Sequence, residues 1–564
     1  MNEVVTHLSI VAFLLLAACV WRTPQRRGRF VAYGRRRMEQ AAEARARRQV
    51  KQFLNDFHIC ELLAAGFSAS HLLGRWMLSW LSNATLALAL ATVAMAENPP
   101  AAARAALADL QTQPVERRSQ LRYLAVDGPE QVVAIDYVLN AVSRSRLIVH
   151  AERVSPTLLR IDLAACANPR EPASYAELRA AWEKLVEIDP YFHLRTQVLP
   201  LQTVVAAATP HSSKNNVRRS THSTTNKIET VTIDGGWIPT DVARDLKLAT
   251  LSAGPVLRGD FFVAHAVNAP LYYDFAGIPS AEQELLGRLG IDRESVDRLS
   301  ADTAANLFIS HVTNKPRRLV RLPGPLGGTW FSRDIETETP DRDPLRIPIN
   351  YTGTAGAQVL RYDASEWFAQ KENKFWLTAV FDGRGQRQDA VKDVIAKDTM
   401  AHDGIVRPLI SCVRCHELNG GGAGMQPIVD DQHPLLTGQV AILQSYLPEV
   451  ARRVAELYDP ARLARDQARD REDYAQAVLD ATGLTTHDAA DALSRTFARF
   501  VDRPVTRVVA AAECGVGEEQ FVMGTRHSTD PAILALRAGR EIRRATYEAS
   551  FPELMLLTNS SWRH

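Results

Sequence analysis

The sequence predicts an α+β protein, with mixed N-terminal and middle regions and a mainly α-helical domain at the C-terminus. Three patterns predict it. Helical and extended segments alternate between Glu97 and about Thr203. Short alternating or β-branched runs separated by Gly and Pro turns fill Lys227 to Lys397. Past Gly420, apolar residues recur three and four apart. At 564 residues the chain exceeds one ordinary core, and several folded units are expected. Lys+Arg 66 against Asp+Glu 64 leaves a net charge of +2, which gives no basic field for nucleic acid. The six cysteines are too few for a disulfide scaffold.

Residues 1–96 read as a membrane-associated and basic extension. The run "HLSIVAFLLLAACVW" (His7 to Trp21) is about 15 residues, short for a bilayer span. Ten arginines and a lysine follow between Arg22 and Lys51, which favours the cytoplasmic side for that segment. Arg75, the apolar run Ala84 to Val93 and the small-residue end Ala94-Met95-Ala96 then follow the order of a secretory signal cleaved after Ala96. Three alternatives stay open: retention of Met77 to Ala96 as a tether, a lipoprotein site at Leu16 to Cys19, and synthesis starting at Met77. All three leave the remainder exported, and the bulk of the chain is expected in the periplasm, soluble or tethered to the inner membrane.

Residues 97–207 form the first expected α+β domain, with a helix over "YAELRAAWEKLVEI" (Tyr175 to Ile188) stopped at Asp189-Pro190. "ATPHSSKNNVRRSTHSTTN" (Ala208 to Asn226) has Val217 as its one aliphatic residue within the polar part, and 208–226 reads as a linker. The middle α+β domain, 227–400, has strand-like runs at "KIETVTI", "GDFFVAHAV" and "KFWLTAVFDG" and a helix near "SAEQELLGRLG" (Ser280 to Gly290). Helices are expected through 401–564, where Asp466, Asp470 and their charged neighbours read as a solvated helix face.

The motif that carries chemistry is Cys412-Val413-Arg414-Cys415-His416, within "SCVRCHELNGGG". CxxCH is the form of a covalent c-type haem site: two thioethers to the porphyrin vinyl groups and the next residue's imidazole on the iron. On one α-helical turn Cys412 and Cys415, three apart, face the same way as His416 at i+4. One haem c per chain is therefore expected, held by Cys412 and Cys415 with His416 as metal ligand, which makes 401–564 the expected haem-binding, cytochrome c-like helical domain. Zinc would need two further ligands, and His433 and His487 complete only an irregular site. A dithiol redox motif would need a low-pKa first cysteine in a thioredoxin-like frame, which the Gly-rich continuation disfavours. The sixth iron position is left open among Met425, His433, other residues such as His402 and Met523, or no ligand. "GAGMQP" (Gly422 to Pro427) is similar to the Met-Pro loops of small soluble cytochromes c, but lies only nine residues past His416. Cys166 and Cys514 are the thiols left in the exported part, and their pairing depends on geometry.

"VFDGRGQRQDAVKDVIAKDTMAHDGIVRPLISCVRCH" (Val380 to His416) resembles the approach to the haem motif in cytochrome c domain proteins of planctomycete-like bacteria, where a hairpin, a D-G-x-G-x-R turn and an acidic helix lead into a hydrophobic strand and CxxCH. "LLRIDL" (Leu158 to Leu163), "DPYFH" (Asp189 to His193), "PVLRGDFFV" (Pro255 to Val263), "PLYYDFAGIP" (Pro270 to Pro279) and "ELLGRLGID" (Glu284 to Asp292) follow the same order, so the resemblance covers roughly 134–521. The chain departs from the family at "LPGPLGGTWFSRD" (Leu322 to Asp334), where a segment rich in Trp and Tyr is usual, and in its longer glycine loop. The resemblance implies a secreted or membrane-tethered monohaem cytochrome without an established reaction. An electron-transfer protein with redox-protein partners is the expectation. A haem-dependent oxidoreductase or a haem sensor with an exchangeable sixth ligand is the alternative. No nucleophile–base pair, phosphate loop or metal box is visible between Ala134 and Lys397, so whether the chain is an enzyme stays open.

Overall fold

The computed structural model describes residues 99–192, 197–200, 230–233, 240–293, 304–309, 315–391, 397–419 and 448–558, apart from a few single positions within these ranges and with residue 296 in addition. The apolar segments before Glu97, the 208–226 linker, Met425 and His433 lie outside the described residues. By contacts the chain divides into Met1–Thr92 and Val93–His564, and every described residue belongs to the second unit.

In chain order the first elements are α1 (Pro99–Thr112), α2 (Val115–Arg118), β1 (Leu121–Ala125), α3 (Pro129–Val142), β2 (Glu152–Ser155), β3 (Leu158–Asp162), α4 (Ser174–Ile188), β4 (Gln197–Pro200), β5 (Thr230–Ile233), α5 (Thr240–Thr250), β6 (Val256–Arg258), α6 (Gly259–Ala266), α7 (Leu271–Ala276) and α8 (Glu282–Arg288). Strands β2, β3, β1 and β6 form one sheet in that order, antiparallel except for the parallel pair β1/β6. The helix expected at Tyr175 to Ile188 is α4, which buries Leu178, Ala181, Trp182, Leu185 and Val186 at helical spacing.

A second sheet follows: β7 (Ala304–Ile309), β8 (Pro316–Pro323), β9 (Gly328–Asp334), the hairpin β10 (Tyr351–Gly353) and β11 (Gly356–Gln358), β12 (Ala364–Gln370) and β13 (Trp376–Asp382). Five of these pair antiparallel in the order β13-β12-β9-β8-β7. The helical region comprises α9 (Ile410–Val413), continued as a π-helix over Arg414–Asn419, then α10 (Pro448–Leu457), α11 (Pro460–Thr482), α12 (Thr486–Val501), α13 (Arg507–Glu513), α14 (Glu518–Gly524), α15 (Pro531–Arg537) and α16 (Arg544–Thr558). Local chemistry sets several boundaries. The Asp459 side chain caps α11 at Ala461 N, with Pro460 in the first turn and left-handed Gly483 (φ 72°) at the end. The Thr485 side chain caps α12 at Asp488 N.

The structure departs from the sequence-based division in three places. "GDFFVAHAV" is helix α6 rather than a strand, because its apolar run is buried nearly throughout and so has no period to distinguish strand from helix. Gly259 opens that helix where a Cβ would meet Ile135 Cδ1 at 2.8 Å and Ala125 O at 3.1 Å, so the chain turns tightly against β1. Second, β6 belongs to the sheet of β1 across the expected boundary at 208–226, and α12 packs on both α3 and α6. The expected domains 97–207, 227–400 and 401–564 thus share packing surfaces. Third, Asp470 is not on a solvated face: it is 1% exposed, held by Arg321 and Trp330 from the second sheet.

Candidate functional site

Side chains on a strand alternate between the two faces of a sheet, and the register of β12 with β13 places Phe368 opposite Thr378. Glu366, Phe368 and Gln370 on β12 therefore share a face with Trp376, Thr378 and Val380 on β13. The cysteine motif lies over this face. The Leu409 amide donates to Thr378 Oγ1 at 2.9 Å, the Thr378 hydroxyl also hydrogen-bonds with the Cys412 sulfur, and the His416 ring sits 5.2 Å from that of Phe368. On the other side α12 holds the motif. Arg414 Nε donates to Ser494 Oγ at 3.1 Å, Arg414 Nη2 meets Asp502 Oδ2 at 3.1 Å just beyond the helix end, and the His487 ring Nδ1–H donates to the Glu417 carbonyl at 3.1 Å.

The chain enters the motif through a strained turn. Leu409 has φ 66° and ψ −68°, and Ile410 N donates to Pro408 O at 3.0 Å. An i→i+2 bond about a residue of this conformation is the rarer, costlier hand of the γ-turn. The hydrophobic strand implied before CxxCH by the family resemblance is thus reduced to a bridge at Val406 and this turn. Ser411 then fixes the first helical turn: its hydroxyl donates to Asp398 Oδ2 at 2.7 Å and accepts from Arg407 N at 2.8 Å.

The winding departs from the single α-turn expected of CxxCH. The segment is α-helical through Val413 and π-helical from Arg414, where i→i+5 bonding replaces i→i+4. In the wider turn the residue brought round beneath Cys412 shifts toward position 417. Burial follows that shift: Cys412 and Glu417 are buried, whereas Cys415 and His416 are partly exposed. The three motif side chains are brought together on one short segment, though not on one equally buried face.

Electrostatics distinguish among chemistries for the cysteines. Neither is in a disulfide. Burial pushes the Cys412 thiol well above its ordinary range, reinforced by the Glu366 carboxylate, and pushes Cys415 up to about 11 with Asp398 and Glu366 adding to it. At neutral pH both are neutral thiols, which does not suit a dithiol redox pair, whose attacking cysteine needs a depressed pKa. Two protonated, unbridged thiols three residues apart, followed by a partly exposed imidazole against an aromatic ring, fit a c-type haem.

Among the other candidate residues, His402 Nδ1 lies 3.2 Å from Asp502 Oδ1 on an exposed turn, and Met523 is 59% exposed on α14. Cys166 and Cys514 are both buried and form no disulfide with each other. Among the described residues no helix is long and apolar enough to cross a membrane, and no group of three His, Cys, Asp or Glu side chains is gathered to hold a metal ion. Sequence reasoning missed the supports of the motif: Ser411, Arg414, Asp398, Thr378 and Asp502. Ser411 and Arg414 lie in or beside the motif, but no spacing rule marks their partners.

The chain matches no protein-family model, no curated protein and no solved structure.

Proposed function

We propose that this chain is an exported monohaem c-type cytochrome that transfers electrons to and from redox proteins, as a periplasmic protein either free or tethered by its N-terminal segments. The observation that carries the proposal is Cys412-Val413-Arg414-Cys415-His416 with neither cysteine in a disulfide and the His416 ring packed on Phe368. Cys412 and Cys415 would hold the porphyrin, and His416 would ligate the iron. Haem c supplies a one-electron iron couple when bound. Phe368 limits rotation of the His416 ring, and the buried side of the segment excludes water from Cys412.

Haem staining after denaturing electrophoresis tests this reading. The full-length product expressed with a cytochrome c maturation system is expected to give one stained band, lost in the Cys412→Ala, Cys415→Ala double variant. A band that survives both substitutions removes the covalent assignment. Reduced-minus-oxidised spectra with and without carbon monoxide then separate the roles: an unchanged spectrum goes with electron transfer, and prompt gas binding with catalysis or sensing. N-terminal sequencing of the stained band locates the protein: a start at Glu97 supports the free form and a start near Met1 in the membrane fraction supports the tether.

A further inference from the structure

CxxCH assigns roles to three residues and leaves the two between the cysteines without any. In this chain one of those two is Arg414, whose side chain is 2% exposed. Its three nitrogens reach three side chains: Nε to Ser494 Oγ at 3.1 Å on α12, Nη2 to Asp502 Oδ2 at 3.1 Å at the end of α12, and Nη1 to Asp398 Oδ2 at 3.8 Å on the preceding turn. The guanidinium carbon also lies 4.8 Å from the centre of the Phe497 ring. Asp398 is itself fixed, since its Oδ1 accepts from Met400 N at 2.8 Å and Ala401 N at 3.2 Å and its Oδ2 from Ser411 Oγ at 2.7 Å. Residues on both sides of Cys412 are therefore anchored to one buried carboxylate. Arg414 extends that anchor to α12, which packs against α3 and α6.

We infer that Arg414 is a positioning residue for haem attachment: it sets the rotation of the turn from Cys412 to Cys415 before any haem arrives, so that both thiols meet their vinyl groups. This rests on the covalent-haem reading. The first half of the segment is α-helical and the second π-helical, and the change of winding falls at Arg414. A wider turn is costly, and a buried fork tied to α12 gives it a fixed reference. Each thioether forms when a thiol S–H adds across a vinyl C=C, sulfur to one carbon and hydrogen to the other. No oxidant or leaving group enters, and orientation is the requirement on the protein. With Arg414 lost, Cys412 stays seated on Thr378 while Cys415, the half-exposed partner, loses its register. The result is a haem held by one thioether.

The test is the pyridine haemochrome spectrum of denatured, purified protein, whose band shifts to longer wavelength when one vinyl group remains unsaturated, together with intact mass. Wild type is expected to show the two-thioether band. Arg414→Leu and Arg414→Lys are expected to lower the two-thioether share roughly tenfold, the scale on which outer partners of a ligand act. Asp502→Asn is expected to shift the band in the same direction. Arg333→Leu, which removes another buried arginine, paired with Glu282 at 2.9 Å on the far face of the second sheet, controls for lost stability and is expected to keep the two-thioether band. If Arg414→Leu does not accumulate, Arg414→Lys and Asp502→Asn give the readout. An unshifted band in these variants, or an equal shift in Arg333→Leu, overturns the inference. A wild type without haem instead overturns the function proposed above.

Discussion

Arg321 on β8 grips Asp470 on α11 with two prongs, Nε to Oδ2 and Nη2 to Oδ1, both at 2.8 Å. The register of β8 with β9 puts Trp330 opposite Arg321, and its indole Nε1 donates to the same carboxylate at 3.0 Å. One buried acid thus fastens α11 to the second sheet. Asp470→Ala leaves the buried guanidinium without its main partner and is expected to cost about 3–5 kcal/mol, read from the midpoint of denaturant unfolding. Asp466→Ala, at the half-exposed end of the cluster 3.3 Å from Arg321, is expected to cost less than about 1 kcal/mol. Equal losses at the two positions would mean that Asp470 is solvated after all.

Leu409 combines a buried side chain, 1% exposed, with φ 66°. Two effects oppose each other on substitution. Truncating the side chain to Ala is expected to cost about 2–5 kcal/mol. Gly removes the same side chain but relieves the backbone, so Leu409→Gly should be about 1 kcal/mol more stable than Leu409→Ala, the reverse of their usual order. Paired thermal melts of the two variants check the sign, and a less stable Gly variant would mean that the turn is unstrained.

His265 on α6 packs its ring 4.3 Å from Phe261 and 6.4 Å from Phe500. Burial lowers its pKa from 6.5 to about 4. As pH falls, the unfolded chain takes up this proton first, so the stability held by the neutral ring is complete above about 6.5 and is lost toward 4. His265→Phe should therefore gain on wild type as the pH drops through that window and show no changing difference above it. Denaturation midpoints of both proteins at pH 4.5 and 7.5 make the comparison, with a constant gap as the contrary result.

Lys371, at the turn after β12, closes the end of α3. Its Nζ donates to Asn140 O at 2.6 Å, Ala141 O at 2.8 Å and Ser143 O at 2.9 Å. Replacing it by Met keeps the length of the side chain and strips these carbonyls of their shared donor, an expected loss of about 2–3 kcal/mol. Amide hydrogen exchange should show the loss first in the last turn of α3. Protection there unchanged from wild type would show that the bonds contribute nothing.

Features that depend on near neighbours along the chain are legible in the residues alone. Helix α4 was legible from the spacing of Leu178, Ala181, Trp182 and Leu185, α11 from apolar residues three and four apart, and the CxxCH motif from three residues within five positions. The α+β class followed from the same periodicities. The remaining features depend on residues far apart in the chain. A strand cannot be told from a helix in "GDFFVAHAV" until its surroundings show that nearly every side chain is buried. A carboxylate on a charged helix such as Asp470 looks solvated until Arg321, 149 positions earlier, is found to reach it. At the motif the chain itself supplies two thiols and an imidazole. The winding that presents them is set by Thr378, Asp398, Ser494 and Asp502 from other parts of the fold, because a short helical turn has too few hydrogen bonds of its own to hold one geometry.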